Sequence, residues 1–535
     1  MSSELREFKL GPLRGIIDPD SGQLRYLRIG PHELLRGIYG SVRRPDWGTV
    51  VQKVHDFKLD LKRESFACSF VAVHKDDKMD FTWAGTITGQ VVGVGLIEIE
   101  YHLEGTVPND QMTNRLGLCL LHPASLKGIP AEIEHKDGSK QTVPFPTFIK
   151  PDQPFKDTKT ISYEVGNGIK FRLELSGDNF ETEDQRNYGD ASFKTYCHWQ
   201  ESGSPYPVKQ GQVISNRAKL IINPMGSVAE TTPTETEGEL PSLGTLFKRS
   251  MTTAEMNTLT SFHFTHAVAT KDGLQSAKQN GGPVFLQSDS VSLPSNMSKN
   301  DGMLLPVGQW RKLKDLSGAR RFVQCKGWFI EMNGSRPQFD GIDGAALGLQ
   351  PKTHQFDTET MMECGWVIPD QVSSARHLGA KTIIVGPARL SDEPDSRTNG
   401  IEAALFALAV VANSVKAKAD YVTLFDAETL LTSPAAFVLS MLSDRRSNHV
   451  KVWDIDSQFV AIECGHMILA NLSWEPSEQF KKMSFDSPDN LQVGIKGEYH
   501  LLDKDNIGSW REVLGSPAKH NVLSAIPARS IVVLG

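Results

Sequence analysis

The feature that most restricts the fold of this chain is a change of pattern near residue 225. Before it the sequence reads as strands alone. Residues 23–30, 67–75, 90–103, 169–177 and 213–222 are short, rich in β-branched or aromatic side chains and bounded by Gly, Pro, Asp or Asn. In KFRLELS, Phe171, Leu173 and Leu175 alternate with Lys170, Arg172 and Glu174, the period of a sheet with one wet face. An N-terminal β-sandwich is expected over 1–224. The stretch 225–243, MGSVAETTPTETEGELPSL, is dominated by Thr, Glu, Pro and Gly, too poor in large apolar residues to offset its ordering entropy, and reads as a linker. From 244 the pattern alternates. Apolar strands ending in polar residues (244–248, 263–270, 283–290, 303–308, 321–332, 339–349, 381–390, 420–428) are interleaved with helix-like segments at 252–261, 309–319, 357–378, 400–419 and 433–444. Alternation implies a parallel sheet, and eight strands imply a (β/α)8 TIM-like barrel over 244–450. Its first half is trimmed or irregular, because 270–283 and 290–303 leave little room for full helices. Short strands after 451 predict a small C-terminal β domain over 451–535.

Charge and composition narrow the function classes. With 57 basic and 64 acidic residues the net charge of −7 offers no general field for a phosphate backbone, so no nucleic-acid partner is expected. Six scattered cysteines form no CxxC pair, which signals neither a zinc site nor a disulfide framework. The opening MSSELREFKLG has no apolar core of a secretory signal, and the longest apolar run, 403–412, is too short to span a bilayer. The expectation is a cytoplasmic chain with no membrane partner. No GxSxG, GxxxxGK[ST], HExxH or strand-borne GxGxxG occurs, so neither a cofactor nor a metal is expected. His263 and His266 point to opposite faces of a strand; one should be buried and hydrogen-bonded, the other exposed.

Two polar clusters stand out. The first follows the C-terminal ends of the barrel strands, where barrel enzymes place catalysis: Ser288 and Asp289, Glu331 and Asn333, Gln350 and His354, Arg389 with Asp392 and Arg397, and Asp426 with Glu428. The second is EDQRN (183–187) followed by DASFKTY (190–196), with Arg43, Asp46, Trp47, Asn114, Arg115, His122 and Gln153 upstream. Buried charge costs several kcal/mol unless paired, roughly, so these groups either form an ion-pair network or bind a polar ligand. A sugar would use Arg and carboxylate for its hydroxyls, with Trp47 or Tyr188 as a flat platform.

The strings LLRGIYGSVRRPDWGTV (34–50), FTWAGTITG (81–89), MTNRLGLCLLHP (112–123), PDQPF (151–155) and NFETEDQRNYGDASFKTYC (179–197) resemble the D-apionate lactonase family. So do WFIEMNGSRP (328–337), LGLQPKTHQFD (347–357) and ILANLSWEPSEQF (468–480). The resemblance implies a β-sandwich, a barrel and a C-terminal β domain, and hydrolysis of a five-membered sugar lactone, apionolactone, to its open acid. Glu331, Asn333, Arg336 and Pro337 match a motif of form ExNxxRP, and His354, Phe356 and Asp357 match HxFD. Two places depart from the family pattern: HFTHAVAT at the second barrel strand, and Asp426 with Glu428 after the eighth.

The expected activity is therefore that of a carbohydrate lactone hydrolase acting on a small sugar lactone. Glu331, or Glu183 with Asp184, would activate water. Arg43, Trp47, Arg115, His122, Arg186, Asn187, Lys194, Asn333, His354, Asp426 and Glu428 would bind substrate, with Arg186, Lys194 or Arg115 holding the oxyanion. The alternatives are a TIM-barrel glycoside hydrolase pairing Glu331 with Asp426 or Glu428, and a non-catalytic sugar-binding protein.

Overall fold

A computed structural model describes residues 5–166, 168–225, 233–443, 449–455, 458–464, 467–473, 498–507, 518–519 and 525–534. The chain divides into two compact units, Met1–Gln185 with Ser192–Thr231, and Arg186–Ala191 with Thr232–Gly535.

The first unit is an antiparallel, sandwich-like β fold whose sheet has sixteen strands. Alternation drives it. Along Asp80–Val92 burial changes residue by residue, so Phe81, Trp83 and Ile87 enter the core while Thr82, Thr86 and Thr88 face out. Phe8 and Phe66 stand on strands near opposite ends of the sheet path, yet their rings lie 4.4 Å apart in one core cluster, so the sheet folds over on itself. The expected strand at 90–103 is instead the ends of two strands, Asp80–Val92 and Leu96–Thr106. Gly93 and Gly95, at φ 58° and 80°, make the turn between them, a conformation that a Cβ would penalise. Four adjacent strands matter below: β1 (His32–Arg43), β2 (Arg115–Pro123), β3 (Phe180–Asp184) and β4 (Ser192–Cys197), in the order β1-β2-β4-β3.

The second unit holds a closed barrel of eight parallel strands. They are β5 (Ser242–Phe247), β6 (His266–Ala269), β7 (Val284–Gln287), β8 (Gly302–Pro306), β9 (Arg320–Cys325), β10 (Gly344–Leu349), β11 (Thr382–Ala388) and β12 (Tyr421–Asp426). Each contributes one side chain to an interior cluster: Leu246, Val268, Phe285, Leu304, Phe322, Ala346, Ile384 and Tyr421. Arg320 closes the end where the strands begin, donating to Tyr421 Oη at 3.3 Å and Thr382 Oγ1 at 3.2 Å beneath the rings of Phe285, Phe322 and Tyr421. The early connections are short, as their spacing predicts: Leu274–Gln279 is a six-residue helix between β6 and β7, and among the described residues no helix joins β7 to β8. The apolar run 403–412 lies in the helix Ile401–Lys416, buried almost all round. His266 is buried, donor or acceptor to Thr423 Oγ1 at 2.9 Å, whereas His263 precedes β6 and is exposed.

The expected linker at 225–243 is only partly described, residues 226–232 lying outside the described set, and what is described is largely strand. Thr234–Glu239 pairs antiparallel with His449–Ile455 and so enters a seven-stranded sheet built mostly from residues beyond the barrel. Its polar composition is that of a charged edge strand. Glu235 accepts from Trp453 Nε1 at 3.1 Å, and Glu237 stands 3.8 Å from both Lys451 and His449. Residue 444, the end of the expected helix 433–444, and residues 474–480 of the string 468–480 also lie outside the described residues.

Candidate functional site

Register decides which polar residues of the first unit can meet. Arg115 of β2 pairs with Arg43 of β1, and Cys119 with Tyr39. On the other side Cys119 pairs with Tyr196 and Leu121 with Lys194 of β4, which in turn oppose Glu181 and Glu183 of β3. Because side chains alternate across a strand, these residues share one face of the sheet. Leu116, Leu118, Leu120 and Val42 point the other way, into the main core, while Tyr39, Cys119 and Tyr196 form a small separate cluster.

On that face Lys194 Nζ lies 2.6 Å from Glu183 Oε1, with the two side chains 5% and 13% exposed. Gln185 Nε2 also donates to Glu183 Oε1. Tyr196 donates its hydroxyl to Glu181, which accepts the Gln200 N–H as well, at 3.0 Å. The Arg115 guanidinium stacks on the Tyr196 ring, 3.4 Å from its centroid, and lies 5.7 Å from the Trp47 ring. Arg115 is buried, and its Nε has no hydrogen-bond partner among the described residues. Arg43 donates to Thr49 Oγ1 and to the Trp47 carbonyl. That contact helps hold Trp47 at φ 67° with its ring nearly half exposed. Burial is the largest influence on Lys194 and pulls its pKa below the ordinary lysine value; Arg115 and Arg43 act in the same direction, and Glu183 opposes them. A groove of about 600 Å³ opens beside the Trp47 loop, lined by Pro45, Asp46, residues 75–80 and residues 109–112. Four of its acids are paired: Asp46 with Lys78 at 2.6 Å, Asp76 with Arg44 at 3.2 Å, Asp80 with Lys75 at 2.5 Å and Asp110 with Lys209 at 2.9 Å.

The same alternation removes two expected residues from this face. Asp184 follows Glu183 directly and so points to the opposite side, where it accepts the Lys150 N–H at 3.1 Å. The two acids therefore cannot act as a pair on one substrate. His122 lies on the core side of β2, its Nε2 2.9 Å from Thr195 Oγ1, and burial lowers its pKa to about 3. It is a neutral core histidine, not a ligand of substrate.

Arg186 and Asn187 belong to the second unit. There Arg186 is fully buried against Asp370 of the helix Ile368–His377, at 3.0 Å, and Gln371 Nε2 donates to its carbonyl. Asn187 accepts from Asn333 Nδ2 at 2.8 Å, and Asp190 pairs with His354 Nδ1. Residues 186–190 are thus paired within the second unit, Arg186 with Asp370, Asn187 with Asn333 and Asp190 with His354.

In the barrel Glu331 sits in the helix Ile330–Ser335 and accepts three backbone N–H groups of the preceding loop, from Lys326, Gly327 and Trp328, at 3.1–3.2 Å. A carboxylate engaged in this way fastens a loop. Asp426 lies 2.6 Å from Lys248 and 3.5 Å from Arg389, and Glu428 lies 3.2 Å from Arg249. Of the expected site residues the structure brings Arg43, Trp47, Arg115, Glu183 and Lys194 together, and beside them stand Glu181 and Tyr39, which the sequence reading did not name. Counting every second residue along FETED and along β1 would have found both.

Among the described residues no group of three or more His, Cys, Asp or Glu side chains is placed to hold a metal ion, and no helix is long and apolar enough to cross a membrane. The D-apionate lactonase of Brucella anthropi is 30% identical over 240 residues, 43% of this chain and 39% of that protein, so the match spans well under half of the relative's length. Among solved structures, a putative aldose 1-epimerase from Escherichia coli K12 aligns at 10% identity over 41% of this chain and 99% of its own, with a TM-score of 0.29. A xyloglucanase of glycoside hydrolase family 44 from Paenibacillus polymyxa aligns at 8% identity over 57% and 98%, with a TM-score of 0.36. Residues 1–224, which contain Arg43, Trp47, Arg115, Glu183 and Lys194, match the family described as D-apionate lactonase, N-terminal domain.

Proposed function

We propose that this chain hydrolyses a sugar lactone of the apionolactone type on the Arg115–Glu183–Lys194 face of its first unit. One observation carries the reading: a buried guanidinium whose Nε lacks a partner, stacked on Tyr196 beside a carboxylate–ammonium pair. The family match over 1–224 supports it. Glu183 takes a proton from water as its oxygen bonds to the lactone carbonyl carbon. Arg115 holds the oxyanion that forms, since a preorganised cation in a water-poor site is worth most where charge develops. The ring C–O bond then breaks, and the departing alkoxide takes a proton from Lys194, whose depressed pKa makes it a ready donor. Glu183 returns its proton to Lys194, and the acid produced ionises against Arg115. Trp47 offers its face to the ring. A lactone is an activated ester, so general-base help of about 10²–10⁴-fold suffices without a covalent intermediate.

The glycoside-hydrolase alternative needs two carboxylates free to exchange protons. Glu331, common to both of its pairings, accepts three backbone donors and fastens a loop, which weighs against it. The second unit's eight-stranded barrel is read as a trimmed barrel of TIM type. The six cysteines, all buried and unpaired, fit a reducing cytoplasm. The test is a pH-stat assay over a panel of five- and six-membered aldonolactones, apionolactone included. Acid release that Arg115→Gln abolishes is expected. Absence of turnover on every lactone would sink the proposal in favour of sugar binding alone.

A further inference from the structure

The barrel presents a second constellation, remote in sequence from the lactone residues and not used by the reaction above. At the ends of β9 to β12 and of β5, consecutive around the barrel, one polar chain links loop to loop. Trp328 Nε1 donates to Thr353 Oγ1 at 3.1 Å, and Thr353 donates to the Gln350 carbonyl. The Gln350 side chain donates to Asp392, which lies 2.7 Å from Arg389. Arg389 reaches Asp426 at 3.5 Å, and Asp426 pairs with Lys248 just beyond β5. The chain carries two charges of each sign, Lys248 and Arg389 against Asp426 and Asp392.

Two further observations point to a ligand. Phe322 faces the barrel interior, so Gln324, two residues on along β9, faces the same way at the open end. It is 4% exposed, and its amide makes no side-chain hydrogen bond among the described residues. Water or a ligand at the open end satisfies it, because an amide left without any partner costs about 1–3 kcal/mol. Asp426 Oδ1 likewise has no hydrogen-bond partner there, the Arg389 nitrogen being too far for one. Beside them Trp328 is 40% exposed although it is a large aromatic, held by its indole N–H with its ring left to solvent.

From this geometry we infer that the open end of the barrel is a binding site for a neutral saccharide. A sugar ring has hydroxyls that donate and accept at once, as the Gln324 amide does, and an apolar C–H face that packs on an indole. The balanced charges around the rim favour a neutral ligand over an anionic one. Barrel folds leave their loops free to vary at this end while the interior stays packed, which gives such a site a rigid base.

Tryptophan fluorescence of the full-length protein titrated with glucose, xylose, ribose and cellobiose, with gluconate as the anionic comparison, tests this. At least one neutral sugar is expected to saturate, and Trp328→Ala and Gln324→Met should each weaken it about tenfold or more, the loss expected for one hydrogen bond or stacked face. Trp328 is exposed, so its variant tests the site even if the Gln324 variant is unstable. The inference is overturned if no neutral sugar saturates, if gluconate binds more tightly than every neutral sugar, or if Trp328→Ala retains wild-type affinity.

Discussion

Replacing Glu183 by Gln separates the structural from the catalytic role of the sheet-face pair. Lys194 is 5% exposed and Glu183 13%, so the substitution leaves an ammonium in the interior with its nearest anion gone. Breaking a buried pair costs about 3–5 kcal/mol; the residual exposure of Glu183 places this case near 3 kcal/mol, or about 6–12 °C in Tm for a unit of this size. Loss of the base should lower kcat/KM about 10²–10⁴-fold. Adding Lys194→Met removes the stranded charge, so stability should return to within about 1 kcal/mol while activity stays lost. The pH dependence gives a third reading. Without Glu183, both Arg115 and Arg43 disfavour the ammonium, and the folded pKa of Lys194 falls further below the unfolded value near 10.5. Below the folded pKa, lysine is charged in both states and the deficit is full. Above it the folded protein releases the proton that the unfolded chain keeps, so unfolding free energy rises by up to about 1.4 kcal/mol per pH unit and the deficit shrinks toward pH ~10. Urea unfolding between pH 6 and 10 measures the stability, and pH-stat turnover measures the activity. An unchanged Tm with unchanged kcat/KM in the single variant, or activity regained in the double variant, would refute the assignment.

Three other outcomes follow from the same geometry. Arg115→Lys keeps the charge but loses the planar contact with Tyr196, so kcat/KM for lactone opening should fall about 10–100-fold with Tm little changed, as read by steady-state kinetics and thermal unfolding. Glu331→Gln should leave kcat/KM within about threefold of wild type yet lower stability by roughly 1–2 kcal/mol, because an amide offers one acceptor oxygen where the loop 326–328 needs two; a 10²-fold loss of turnover would return Glu331 to the catalytic site. His122, held neutral with its pKa near 3 against 6.5 in the unfolded chain, contributes stability that is complete above pH ~6.5 and declines as pH falls toward 3. His122→Gln should flatten the pH dependence of urea unfolding between pH 4 and 6.5 by one proton, and an unaltered slope would contradict it.

Much of the fold was legible because it rests on local periodicity. The alternation in KFRLELS and the spacing of the eight barrel strands are signals that each segment carries by itself, and even the thin early connections of the barrel follow from their length. The failures have physical causes. TETEGE reads as linker because its strand is held by backbone pairing and cross-strand charge, with little apolar burial to show in composition. The hairpin inside 90–103 was hidden because Val91, Val92, Val94 and Leu96 keep the segment apolar across a turn that two glycines make possible.

The site was less legible, since chemistry depends on which strand faces which, and that is information about pairs of segments. Arg115 and Arg43 stand 72 positions apart and become neighbours only through the register of β2 on β1. Arg186, by contrast, lies three residues from Glu183 and looked like part of the same cluster, but the chain leaves the sheet after Gln185, and the guanidinium finds Asp370 instead. Within β3 the period alone would have sufficed: once Phe180 is taken as core, Thr182 and Asp184 must follow it inward, and Glu181 and Glu183 must share the face that Lys194 and Tyr196 occupy opposite them. The residue types announced a polar site; parity along the strand selects which of two adjacent acids can belong to it.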